Sequence, residues 1–171
     1  MAQYVPEDST SKEKGETEKK SGFDVSRLVP GGNMALGFGN PYFFDFSPSL
    51  GYLFTDDLLA GAGLTYLSWG YSLGGSKFTR SYYGARILAR YQVKEPLFAN
   101  VELEGLNAPY DPTGYGEEQR VWTFNPMVGA SYVVPFGRRG GIQATLLYNL
   151  NYKEAYSPYS SALVWRIGFF L

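Results

Sequence analysis

The sequence predicts an all-β fold: an eight-stranded, antiparallel, up-and-down transmembrane β-barrel with a disordered N-terminal tail. Three observations predict it. The 171 residues include 15 Tyr, 12 Phe and 21 Gly, with aromatics at 18%, a mix ordinary for a membrane barrel and unusual for a soluble domain. Beyond residue 22 the chain breaks into turn-punctuated segments whose apolar residues recur at every second position, which is the period of a strand. No stretch approaches the ~18 apolar residues that a spanning helix requires.

Composition also removes whole classes of function. The chain has no His and no Cys, so the usual zinc sites and the Ser-His, Cys-His and thiol-redox chemistries lack their residues. A net charge of −1 argues against a nucleic-acid partner, because phosphate binding draws on a basic excess. The length suits a single domain.

The first element is residues 1–22, rich in acids (Glu7, Asp8, Glu13, Glu16, Glu18) and lysines (Lys12, Lys14, Lys19, Lys20), with Tyr4 as its one aromatic. Such a segment buries too little apolar surface to offset its ordering entropy, so disorder is expected. It has no apolar core of a signal peptide, which predicts a mature or trimmed chain starting near Ala2-Gln3. The alternative is a cytosolic protein with a polar tail. Residues 23–171 form a charge-neutral body predicted to be the barrel.

Eight strands are expected at 32–39, 43–54, 58–71, 78–92, 97–107, 120–134, 141–152 and 161–171. The last is the clearest: Leu163, Trp165, Ile167, Phe169 and Leu171 fall on one face, and Ala162, Val164, Arg166, Gly168 and Phe170 on the other. In the seventh, Ile142, Ala144, Leu146, Tyr148, Leu150 and Tyr152 oppose Gln143, Thr145, Leu147, Asn149 and Asn151. In the fourth, Tyr83, Ala85, Ile87, Ala89 and Tyr91 oppose Tyr82, Gly84, Arg86, Leu88 and Arg90. The fifth sets Ala99, Val101 and Leu103 against Asn100, Glu102 and Glu104.

A soluble lipocalin-like barrel could use the same alternation, and charge separates the two. Asp45, Arg86, Arg90, Glu102, Glu104 and Arg166 share the non-aromatic face. An eight-stranded lumen holds only a modest layer of side chains, so the aromatics are expected outside, in lipid, with glycines and charges within. Connection lengths agree: short turns at 55–57, 93–96 and 135–140 fall on one side, and 40–42, 72–77, 108–119 and 153–160 on the other. Short periplasmic turns and longer outer loops are the pattern of membrane barrels, which puts both termini on the periplasmic side. Phe44, Tyr83, Trp122, Tyr152 and Trp165 are expected in an outer aromatic girdle, and Tyr52, Phe54, Tyr91, Tyr132 and Phe169 in an inner one.

Pro48 and Pro126 stand inside predicted strands, where an N–H is wanted. Both follow Phe-x (Phe46-Ser47-Pro48 and Phe124-Asn125-Pro126) and precede Gly51-Tyr52 or Gly129 and Tyr132. Each is read as a bulge, four strands apart, consistent with a weak duplication of a four-stranded half.

The C-terminal run Trp165-Arg166-Ile167-Gly168-Phe169-Phe170-Leu171 resembles the terminal assembly signal of bacterial outer-membrane barrels, departing from its commonest form by ending in Leu. More of the body is similar to small outer-membrane barrels of Bacteroidetes-type bacteria. The matching stretches include Gly31-Gly32-Asn33, Ser47-Pro48-Ser49-Leu50-Gly51-Tyr52, Tyr83-Gly84-Ala85-Arg86, Leu97-Phe98-Ala99-Asn100-Val101-Glu102 and Tyr156-Ser157-Pro158-Tyr159, across roughly residues 31–171. The resemblance implies the outer membrane as location, the bilayer and the assembly machinery as partners, and a barrel as fold. It carries no activity, so no functional residue transfers.

Among candidate sites, the inward charges come first. Strands four and five are neighbours, so Arg86 and Arg90 are expected to face Glu102 and Glu104, with Arg166 and Asp45 arriving from strands eight and two. An ion-paired plug is the favoured reading over a polar conduit, since eight strands leave no aqueous channel. Glu102 and Glu104 also invite a glycosidase reading, but nearby arginines lower a carboxylate pKa and suit a salt bridge, not a general acid. Asp56-Asp57, and Asp111 with Glu117-Glu118, are expected as solvated turns and not as a calcium site. Tyr110, Tyr115, Tyr156 and Tyr159 lie in predicted outer loops and are candidates for recognition. No cofactor is expected. A structural or interaction role is favoured, with ligand binding or transport at the mouth as the alternative, an enzyme as the least favoured reading, and a membrane partner subunit left open.

Overall fold

A computed structural model describes residues 24–111, 119–136, 140–155 and 157–171. Eight antiparallel strands close on themselves in chain order. They are β1 (Leu28–Gly37), β2 (Tyr42–Leu53), β3 (Leu58–Leu73), β4 (Ser76–Lys94), β5 (Leu97–Tyr110), β6 (Gln119–Phe136), β7 (Gly140–Asn149) and β8 (Leu163–Phe170). The predicted tail, residues 1–22, lies outside the described residues. A single 3-10 turn, Val25–Arg27, leads into β1. Asp24 caps it by accepting from the Ser26 N–H at 2.9 Å, and hydrogen bonding from the Ser26 side chain, then from that N–H, holds its carboxyl below the usual range. Arg27 ties the turn to the β2–β3 connection through the Leu53 and Phe54 carbonyls, both at 3.2 Å.

The register fixes the stagger. One rung runs from Leu28 through Tyr52, Ala60, Ala89, Val101, Val128 and Tyr148 to Leu163. Closing on β1 with the Asn33–Gly168 register returns at residue 38, ten residues along. Strands of a closed eight-stranded sheet with such stagger tilt by ~35–45°, leaving an interior that side chains fill.

At the near end, where the chain enters β1 and leaves β8, the connections are short. At the far end lie the tight Gly74-Gly75 hairpin and the two longest connections, after β5 and β7. Gly74 and Gly75 take φ of 59° and 86°, the left-handed region a two-residue hairpin turn demands and glycine adopts without a Cβ penalty.

Three local expectations are corrected. Pro48 and Pro126 are not bulges. The β2–β3 ladder skips Ser47 and Pro48 but resumes at Ser49–Gly63 in the same register as Phe46–Tyr66, so a missing N–H interrupts the ladder without inserting a residue. Pro126 sits where β7 leaves the sheet, its carbonyl accepting from Leu150 N–H at 2.8 Å just beyond the Met127–Asn149 rung. The register shift recorded in the ladders lies between Gln92 and Lys94, against β5. β1 begins earlier than predicted because Pro30 joins by its carbonyl alone, accepting from Leu171 N–H at 2.9 Å. β7 ends earlier, at Asn149, so Tyr152 is no girdle residue. It is half-buried, and its hydroxyl donates to the Tyr159 carbonyl at 3.3 Å.

The alternation sorts side chains as the pleat requires. Apolar groups are exposed on the outward face of every strand, among them Met34, Phe46, Leu64, Ile87, Val101, Phe124, Leu146 and Trp165. The interior is not uniformly polar. Leu67, Tyr82, Leu106 and Ala108 form one buried apolar cluster, and Met127, Leu147 and Val164 another, with Tyr159 packed against both. Apolar side chains thus join the charged ones in filling the lumen.

Candidate functional site

The six predicted inward charges do point into the barrel, and alternation alone aims them there. Asp45, Arg86, Glu104 and Arg166 are buried, and Glu102 and Arg90 are mostly so. Their partners differ from the expectation. Arg166 on β8, not an arginine on β4, makes the close ion pairs: Nη1 to Glu102 Oε2 at 2.7 Å and Nη2 to Glu104 Oε1 at 3.3 Å. Arg86 stands 4.0 Å from Glu102. The reason is geometric. Arg86 and Glu104 face each other on adjacent strands, yet the long guanidinium stem turns across the lumen toward β1 and β2.

Space for that turn comes from Gly63, whose added Cβ would lie 3.3 Å from Arg86 Nε and 2.7 Å from the Pro48 carbonyl. Arg86 Nη2 donates to Asn33 Oδ1 at 2.6 Å and to the Ser47 carbonyl at 3.2 Å. Asn33 Nδ2 then donates to Asp45 Oδ2 at 2.8 Å, and Ser47 Oγ donates to Asp45 Oδ1 at 2.5 Å. Asp45 is therefore linked to Arg86 through Asn33 and Ser47, with no direct ion pair between them among the described residues.

Glu104 has 0% exposure and the fullest shell. It accepts from Thr65 Oγ1 at 3.0 Å, from Arg166, and from the Tyr159 hydroxyl at 2.9 Å. Tyr159 in turn accepts from Arg166 Nη2 at 2.6 Å. A hydroxyl that donates to a carboxylate while accepting from a guanidinium is a neutral bridge between the two. Tyr159 is thus not an outward recognition residue. The long β7–β8 connection folds it down into the lumen, where it caps the charge cluster.

Arg90 makes no ion pair among the described residues. Its guanidinium lies 5.8 Å from the ring centroids of Phe98 and Phe170, a cation–π setting. A cavity of about 40 Å³ adjoins Arg86, Arg90 and Gln143, whose Arg Nε and Gln Oε1 atoms have no hydrogen-bond partner among the described residues, and it is large enough for ordered water.

Of the other loop tyrosines, Tyr115 and Tyr156 lie outside the described residues. Tyr110 ends β5 half-buried and lines a far-end cavity of about 370 Å³ with Trp122, Phe124, Asn151 and Lys153. Beside the mouth, Arg120 sits 4.5 Å from the Tyr83 ring and donates to Asn107 and to the Ser81 carbonyl. Glu117 and Glu118 of the acidic loop also lie outside the described residues, and no group able to hold a metal occurs among those described.

No family model, curated protein or solved structure matches this chain. Six interior charges that sum to zero, five of them joined by ion pairs and hydrogen bonds, lie under an apolar layer and a tyrosine and fill the interior. Glu102 and Glu104 are both engaged by Arg166, at 2.7 and 3.3 Å. Asn33, Ser47, Thr65, Tyr159 and Gly63 are the residues that sequence reasoning missed as members of the network. Parity could have flagged Asn33, Ser47 and Thr65, as polar residues on inward faces. No local signal marks Tyr159.

Proposed function

We propose that the chain is an integral β-barrel of a bacterial outer membrane, with a structural or interaction role and no enzymatic one. It acts through its far-end loops or its lipid-facing surface, with the C-terminal strand read by the assembly machinery, and it is able to serve as a subunit of a membrane complex. One observation carries the reading: apolar side chains stand exposed on the outward face of all eight strands while Asp45, Arg86, Arg90, Glu102, Glu104 and Arg166 are turned inward. Soluble monomers rarely expose contiguous apolar patches beyond a few hundred Å², whereas a lipid-facing barrel must. The filled interior favours a structural role over a conduit.

The test places a charge on the proposed lipid face. Leu146→Arg near the middle of β7 should destabilise the fold by ~2–4 kcal/mol in lipid vesicles, measured by urea unfolding. Wild-type stability for that variant would overturn the lipid-facing assignment. A second reading, small-ligand binding at the mouth, draws on the 370 Å³ cavity beside Tyr110, a volume within the usual range of ligand pockets.

A further inference from the structure

The barrel wall is incomplete where its two ends meet. β8 pairs with β1 over three rungs only, from Gly31–Phe170 to Asn33–Gly168. Beyond that rung β1 continues through Met34–Gly37 in register with β2, and β8 continues back through Ile167 to Leu163 in register with β7. Both edges keep their own hairpins while parting from each other. A breach therefore opens in the far half of the wall. Ala35 lies on the inward face on the same rung as Asp45, one inward position beyond Asn33, yet it is exposed, because no wall stands across from it on the β8 side.

A cavity of about 510 Å³ occupies the breach. Its mouth carries the exposed apolar side chains of Met34, Leu36 and Trp165, and its inner end reaches the buried Asp45 and Arg166. The volume suits a small amphiphile. The two ends of the cavity differ chemically. Arg166 is already engaged by Glu102, Glu104 and Tyr159. Asp45 accepts only from Asn33 and Ser47 and has no cation within 4.0 Å among the described residues. A carboxylate offers about four acceptor positions, so Asp45 has capacity left for donors. The six interior charges already balance, so a zwitterionic head group of no net charge suits the site better than a net ion of either sign. Asp45 is the fourth residue in from the far end of β2, near the depth at which a head group would sit. Unpaired strand edges are not tolerated facing hydrocarbon and need a polar partner or a lined cavity.

We infer that this breach is a lateral binding site for a single-chain amphiphile from the bilayer. Its acyl chain lies against Met34, Leu36 and Trp165, and its head group donates N–H hydrogen bonds to Asp45. The inference rests on the membrane reading above. An ethanolamine head, whose ammonium carries N–H donors, meets this chemistry, whereas a choline head of the same charge has none.

The experiment uses the full chain in detergent, titrated with lysophosphatidylethanolamine or lysophosphatidylcholine and read by native mass spectrometry. One saturable copy of the ethanolamine lipid should bind, about tenfold more tightly than the choline lipid, the order set by a charge-assisted hydrogen bond. Asp45→Asn should erase that preference, and Ala35→Trp should block both lipids while keeping heat-modifiable gel mobility. No saturable binding, or a preference unchanged in Asp45→Asn, overturns the site. A dimer cross-linked through Ala35→Cys in a chain otherwise free of cysteine would assign the breach to a second copy and likewise overturn it.

Nitroxide labels in vesicles separate this failure from failure of the membrane reading. A label at Ile87→Cys, outward on β4, should collide with oxygen and not with a water-soluble nickel chelate. A nickel-accessible Ile87 sinks the membrane reading itself. An Ile87 in lipid with an Ala35 label reached only by nickel sinks the lateral site alone.

Discussion

Arg166 on β8 bonds Glu102 on β5 at 2.7 Å across the lumen, although 64 residues separate them. The same guanidinium reaches Glu104 and the Tyr159 hydroxyl, so one side chain binds two strands and a loop into a single plug.

Removing one member of that plug strands a buried charge. Glu104→Gln and Arg166→Met should each destabilise by ~3–5 kcal/mol, and the double variant should lose clearly less than the sum. Urea unfolding of all three variants in one detergent measures the coupling. Strict additivity would mean the pair does not interact in the folded barrel.

Tyr159→Phe removes a hydroxyl that both donates to Glu104 and accepts from Arg166. A loss of ~1–3 kcal/mol is expected, because two charged groups keep their positions and lose a partner. Unfolding as stable as wild type would place the ring outside the lumen.

Gly63 is the clearance through which Arg86 reaches β1 and β2. Gly63→Val puts a Cβ 2.7 Å from the Pro48 carbonyl and 3.3 Å from Arg86 Nε, so ~1–3 kcal/mol of overpacking should appear in the same assay. Gly63→Ala should show a smaller loss of the same sign, and a neutral Gly63→Val would show that Arg86 takes another path.

The filled interior should conduct poorly. Side chains of an eight-stranded barrel occupy its lumen, and here Leu67, Leu106, Met127 and Leu147 are each 2% exposed or less. Planar-bilayer recordings of purified protein should show no steady wide pore. Robust conductance from the monomer would contradict the plug.

Residues 1–22 carry neither alternation nor an apolar anchor, so a chain beginning at Phe23 should keep wild-type heat-modifiable mobility. Loss of that shift on truncation would mean that the segment contributes to barrel stability.

By itself the sequence determined the strand number, their chain-order pairing and the face of each side chain. The reason is local: successive side chains on a pleated strand point to opposite faces, so Leu146 and Trp165 were legible as outward and Glu104 and Arg166 as inward without coordinates. Charge balance within the lumen was legible for the same reason. Only the tertiary structure decided who meets whom. Cross-lumen partners depend on how far the register climbs before the sheet closes, a sum over eight ladders that no single strand records. That sum carries Arg166 to Glu102 and Glu104 and sends Arg86 over Gly63 to Asn33. The prolines misled because a missing N–H signals an interrupted ladder as readily as a bulge. Tyr159 was misread because a loop's sequence does not say whether it stands away from the mouth or folds into it. The β1–β8 seam was invisible for a related reason: both strands are regular in sequence, and their divergence beyond Asn33 and Gly168 is a property of closure, where the two ends of the sheet must meet at an angle and a height fixed by all the strands between them.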